Sequence, residues 1–172
     1  ASRAAAAQGE VPGGERDATG TYIIDVFVGF SYAAASQVDE NLLANQMIAE
    51  TNNVLRNSQV HNVELRLVGI GYTDDDRGSQ TSWLNDRLIY QHWGSQIDTL
   101  KPDLVHVVQT NNVGSTAAGW GQVGGYLTVG NNDSGSIIFT HEVGHNAGIV
   151  HCPKDDGYHY GWPFGEWSTL MC

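Results

Sequence analysis

Residues 140–152 read T-H-E-V-G-H-N-A-G-I-V-H-C, which packs three histidines and a glutamate into thirteen positions. His141 and His145 are four apart, so a helix puts both imidazoles on one face within reach of a single ion. Ile137, Ile138, Phe139, Val143 and Ala147 predict apolar surface nearly all round that helix, with Asp133 or Ser134 to cap its start. Polar side chains on so apolar a helix need partners. A zinc ion provides one, because neutral imidazoles suit it and three protein ligands plus a water describe a catalytic site. Gly148, three residues after His145, can take the left-handed conformation that ends a helix, and the turn would bring His151 back as the third ligand. Glu142 lies beside the first ligand but outside the ligand set, where a general base would sit. The chain must therefore build a scaffold that presents this helix and its turn to a cleft.

The preceding sequence supplies an α/β scaffold. Residues 21–32 read as a core strand, and residues 36–58, with Val38, Leu42, Ala49 and Leu55 at helical spacing, as a long amphipathic helix stopped near Asn57 and Ser58. In 62–73, Val63, Leu65 and Leu67 alternate with Glu64 and Arg66, which predicts a second strand. A shorter helix is expected over 81–93, a central strand over 101–110, and one Gly-broken edge strand over 119–131. The zinc helix follows, and no element is expected beyond Gly148.

Charge narrows the function. Eight Lys and Arg stand against 19 Asp and Glu, a net charge of −11, which repels phosphate backbones and anionic lipid. No run approaches the roughly 20 apolar residues of a membrane span. Nucleic-acid and membrane partners are therefore not expected. Residues 1–20 are small, polar and non-periodic, and read as a flexible mature terminus whose export signal has been removed. The two cysteines, Cys152 and Cys172, are either buried free thiols or one disulfide. A disulfide closing that loop is worth about 3 kcal/mol in the chain-entropy picture and implies an oxidising compartment. A secreted protein is the expectation.

The run H-E-V-G-H-N-A-G-I-V-H, residues 141–151, resembles the extended zinc signature of the metzincin metallopeptidases. Gly144 and Asn146 make it most similar to the reprolysin (adamalysin-like) branch and the related bacterial peptidyl-Asp-type peptidases. The resemblance implies a twisted mixed sheet with an antiparallel edge strand, two backing helices including the zinc helix, and an irregular C-terminal subdomain. Residues 21–172 would form one catalytic domain, with an upper part at 21–148 and a lower part at 149–172. It also implies that Met171, in W-S-T-L-M-C, lies in a turn beneath the metal as a polarizable floor for the histidine rings. The edge strand, at Gly125, Tyr126, Leu127 and Thr128, would form the upper rim of the cleft and take up an extended peptide by strand addition. The implied function is a secreted, monomeric Zn2+ endopeptidase acting on protein or peptide substrates, with His141, His145 and His151 as ligands and Glu142 as base. The alternative is a zinc-stabilised module that binds a protein or glycoprotein without cutting it. Two positions depart from the pattern: Cys152 stands where an aspartate usually follows the third histidine, and a C-terminal helix expected after the methionine turn is not in the sequence.

Other features weigh less. Glu166 is the rival third ligand on a thermolysin-like pattern, but glycine and proline around it work against the helix that pattern needs. Asp74–Gly78 lacks the spaced ligands of a calcium loop and reads as a solvated acidic turn. G-Y-H-Y-G-W, residues 157–162, reads as aromatic packing over the tail, with lining of the cleft as the alternative. His61, His92, His106 and His159 have no partners at metal-binding spacing and read as structural.

Overall fold

A computed structural model of the chain describes residues 15–76, 80–110, 117–151, 163–164, 167–168 and 170–171. In order these form β1 (Glu15–Arg16), β2 (Tyr22–Ser31), α1 (Tyr32–Ala35), α2 (Glu40–Asn57), β3 (Val63–Thr73), a 3-10 turn (Gln80–Trp83), α3 (Asp86–Leu100), β4 (Leu104–Gln109), β5 (Gly119–Gly121), β6 (Leu127–Asn131), α4 (Gly135–Asn146), β7 (Pro163–Phe164) and β8 (Trp167–Ser168). β2 pairs in parallel with β3 along its length and with β4 over Val26–Phe30. β4 pairs in parallel with β6, and β6 antiparallel with β5, so among the described residues β3, β5 and the short β1 each pair with one neighbour only. No described helix is long and apolar enough to cross a membrane.

Alternation along β2 splits the core into two layers. Val26, Val28 and Phe30 pack with Leu43, Ala44, Met47 and Ile48 of α2 and Phe139 of α4. Phe27 packs on the other face with Trp83, Ile89, Trp93, Ile97, Val105 and Val107 of β4, and Val129 of β6. Each such side chain, fully buried, contributes roughly 1.5–3 kcal/mol. The two-sidedness follows from crossover handedness. The chain leaves β2 for β3 on one side through α2, then returns past β2 to β4 on the other side through α3. Right-handed crossovers in opposite directions set their helices on opposite faces. The two expected backing helices are thus α2 and α4, and α3 covers the far face.

Polar clamps fix the layers. Asp39 caps α2 by accepting from Leu42 N at 2.9 Å. Asn52 of α2 pairs with both backbone groups of Leu65, at 2.9 and 2.8 Å. Thr51 of α2 and Thr140 of α4 share a 2.8 Å hydroxyl contact. His106 is fully buried, Nδ1 lies 2.8 Å from Thr128 Oγ1, and burial pushes its pKa down to about 3.

Several expectations need correcting. Glu15–Arg16 pairs with the start of β2, so residues 15–20 are not a free terminus; residues 1–14 lie outside the described residues. The helix expected at 81–93 is a 3-10 turn followed by α3, because Asn85 starts a new cap by accepting from Arg87 N at 3.0 Å. The expected strand at 101–110 is shorter, since Lys101 still caps α3 in the left-handed conformation. The single edge strand expected at 119–131 is a hairpin, β5 and β6. Asp76 is not part of a solvated turn: its carboxylate accepts from Ser31 Oγ, Thr110 N and Thr110 Oγ1, tying the ends of β2 and β4. Beyond Gly148, where no element was expected, β7 and β8 form a two-stranded ribbon. Cys152, Cys172, Glu166 and residues 157–162 lie outside the described residues, so the disulfide and Glu166 expectations do as well.

Candidate active site

The site is built on α4. Its start has no side-chain cap bond from Ser134, and Ile137 is 55% exposed, so the helix is not apolar-packed all round. Its buried face carries Phe139, Thr140, Glu142 and His145 and lies over β5 and β6. α4 ends at Asn146, and Gly148 follows with φ +87°, a conformation that favours glycine. Gly148 N donates to His145 O and Ile149 N to Gly144 O, and the chain doubles back.

That turn delivers His151. Its Nε2 lies 2.9 Å from His141 Nε2 and 3.1 Å from His145 Nε2. One ligand nitrogen from each of the three lies within 4.8 Å of the others. The other ring nitrogens are held from behind: His141 Nδ1 is 2.7 Å from Leu170 O, and His145 Nδ1 is 2.7 Å from Ile149 O. A carbonyl only accepts, so both Nδ1 atoms carry the proton and both Nε2 atoms present bare lone pairs. Lone pairs converging on His151 at this spacing fit a cation. Tetrahedral nitrogen ligands at about 2.0–2.1 Å stand roughly 3.3 Å apart, within a few tenths of an ångström of what is seen. The residues present therefore fit a metal ion.

Glu142 is 3% exposed, and its Oε2 lies 4.0 Å from His145 Nε2 with no hydrogen-bond partner among the described residues. Burial raises its pKa to about 7. Met171 is 6% exposed and lies against Gly144 of the motif, where an added Cβ would overlap Sδ. Met171 Sδ thus lies beside the helix, at a glycine that leaves it room.

The expected rim moves. Leu127 and Thr128 lie on the inner strand β6, buried, paired with Val105 and His106 of β4 on one side, and Thr128 with Gly121 on the other. They have no free edge for a substrate strand, and Gly125 and Tyr126 belong to the loop before them. β5 is the edge. Its Gly119 and Gly121 face α4 so closely that a Cβ at Gly119 would meet Glu142 Oε1 at 2.9 Å. One at Gly121 would meet Glu142 O at 2.6 Å and Oε2 at 3.1 Å. Asn146 secures the hairpin by donating to Gln122 O at 2.9 Å and Leu127 O at 3.3 Å, and Gly124 N donates to His145 O at 2.9 Å. These glycines escaped sequence reasoning. Their only signal was the G-W-G spacing, which shows alternation but not what lies above it.

The sequence profile of the M12B reprolysin-like metallopeptidase family matches residues 43–152. A comparison with curated protein sequences gives no match. Among solved structures, a chain in "Structure of a chaperone-substrate complex" superposes with TM-score 0.73 at 20% identity, over 88% of this chain and 27% of that one. Metalloproteinase-II from Bacteroides fragilis superposes with TM-score 0.56 at 13% identity, over 87% of this chain and 50% of that one. At those identities the likeness is one of fold, and this chain spans half or less of either structure. The matched profile spans the greater part of the chain and takes in all three histidines, and the chain belongs to the M12B reprolysin-like metallopeptidase family.

Proposed function

We propose that this chain is a zinc-dependent endopeptidase that hydrolyses peptide bonds in proteins or peptides, with Glu142 as the general base. The observation that carries the reading is the buried Glu142 carboxyl group, whose Oε2 has no hydrogen-bond partner among the described residues, beside three converging imidazoles. A site that held metal only for stability would gain nothing from burying a carboxyl oxygen without a hydrogen bond.

Zinc bound there would supply a Lewis acid that polarises a carbonyl and acidifies a water. His141, His145 and His151 would hold it, with Leu170 O and Ile149 O keeping two of the rings in the ligating tautomer. Glu142 accepts the proton of the attacking water and passes it to the leaving amine. β5 receives the substrate as an added antiparallel strand, because its outer edge has unpaired backbone groups among the described residues and runs beside Glu142. Main-chain pairing of that kind accepts many sequences, as an endopeptidase requires.

The test is cleavage of a mixed peptide library by the zinc-loaded protein, compared with Glu142→Ala. The reading expects internal cleavage that a chelator abolishes, and a loss on the order of 10²–10⁴-fold in the variant with zinc content unchanged. Cleavage at full rate by Glu142→Ala, or none by the zinc-loaded wild type, would overturn it.

A further inference from the structure

β5 has two unlike faces. Gly119 and Gly121 point at α4 and Glu142, whereas Trp120 between them points to the opposite side. The register places Trp120 beside Val129 of β6, and Val129 beside Val107 of β4. Val107 and Val129 are fully buried in the layer that packs under α3. Trp120 is the last residue of this apolar row and is 46% exposed. An apolar row that runs through a sheet and stops at a half-exposed indole on the edge can be extended by one more strand.

We propose that Trp120 is a specificity-determining residue, selecting a substrate residue with an aromatic or branched apolar side chain at the position paired opposite it. The inference rests on the peptide-hydrolase reading of the cleft and on strand addition at β5. A strand added there continues the pleat, so its side chains fall alternately on the two faces. Those on the α4 side meet glycine and the Glu142 region, with no side chain of β5 to contact. Those on the other side meet the indole. Cross-strand pairs of aromatic and β-branched residues attract, and diagonal neighbours two residues away feel the same ring more weakly. The selection therefore has a period of two along the substrate. The backbone pairing supplies affinity, and Trp120 supplies choice.

The experiment is cleavage profiling of the zinc-loaded wild type, Trp120→Thr and Trp120→Phe on a peptide library randomised around the cut. Threonine is used because it favours strands and keeps β5 paired. The wild type is expected to favour aromatic and branched apolar residues at one position by about 1.4- to fivefold, from a pair energy of about 0.2–1 kcal/mol. Trp120→Thr should flatten that position, with a smaller change two residues away and none at the immediate neighbours. Trp120→Phe should restore it. A profile unchanged in Trp120→Thr, or altered equally at adjacent positions, overturns the role of Trp120 alone. A zinc-loaded wild type that cleaves nothing overturns the hydrolase reading and this inference with it.

Discussion

His141, in the middle of α4, donates its Nδ1 proton to the carbonyl of Leu170, twenty-nine residues further on, across 2.7 Å. The bond ties the chain around Met171 to the helix and turns the other ring nitrogen towards His151. His145 does the same through Ile149 O. The site is thus organised by backbone carbonyls lying behind its ligands.

These contacts set the tautomers before any ion arrives. In the zinc-free protein at pH 8, nitrogen NMR of the histidine rings should show His141 and His145 protonated at Nδ1. Protonation of either ring at Nε2 would contradict the arrangement, because that nitrogen would then have no lone pair for a metal.

Glycine at positions 119 and 121 serves contact rather than flexibility, since neither has a positive φ. Gly119→Ala and Gly121→Ala should each force β5 and α4 apart near Glu142, at a stability cost of about 1–3 kcal/mol. Displacement of the base by up to an ångström lowers kcat by roughly 10²-fold. Zinc content should be retained, because all three ligands remain. Wild-type kcat in both variants would show that Glu142 does not depend on this close fit.

Burial of His106 makes stability pH-dependent. Its pKa is pushed from the ordinary 6.5 down to about 3, so the folded chain keeps it neutral where the unfolded chain protonates it. This contribution is fully present above pH 6.5 and is lost progressively as pH falls towards 3. In chelator-treated protein, so that metal loss plays no part, urea unfolding of His106→Gln should depend less steeply on pH over that window, by up to about 1.4 kcal/mol per pH unit. Equal slopes in the two proteins would place a charged, solvated histidine at this position.

The scaffold was legible where periodicity is strong. α2 begins at Glu40, four residues into the expected run because Asp39 caps it there, and ends where Asn57 and Ser58 predicted a stop. β2 and β3 fall on the runs 21–32 and 62–73. The motif 141–151 yielded three converging imidazoles because helix spacing and one glycine turn suffice to place them. The β5–β6 hairpin was not legible. Val123, Tyr126 and Val129 are spaced three apart straight through the turn, so no break in the apolar pattern marks the reversal. The edge was therefore assigned to residues of the inner strand. The opposite placement of α3 depends on strand order, and the fit of Gly144 against Met171 on a contact across twenty-seven residues; neither is written in a local pattern.

The most direct test of the account is calorimetric titration of zinc into the chelator-stripped protein at pH 7.5, alongside His141→Ala, His145→Ala and His151→Ala. The account predicts one equivalent bound by the wild type, with proton release on lowering the pH of the titration, and affinity reduced by more than the roughly 10–100-fold typical of outer-shell changes in each variant. Zinc bound as tightly by His151→Ala as by the wild type, or no binding by the wild type, would contradict it.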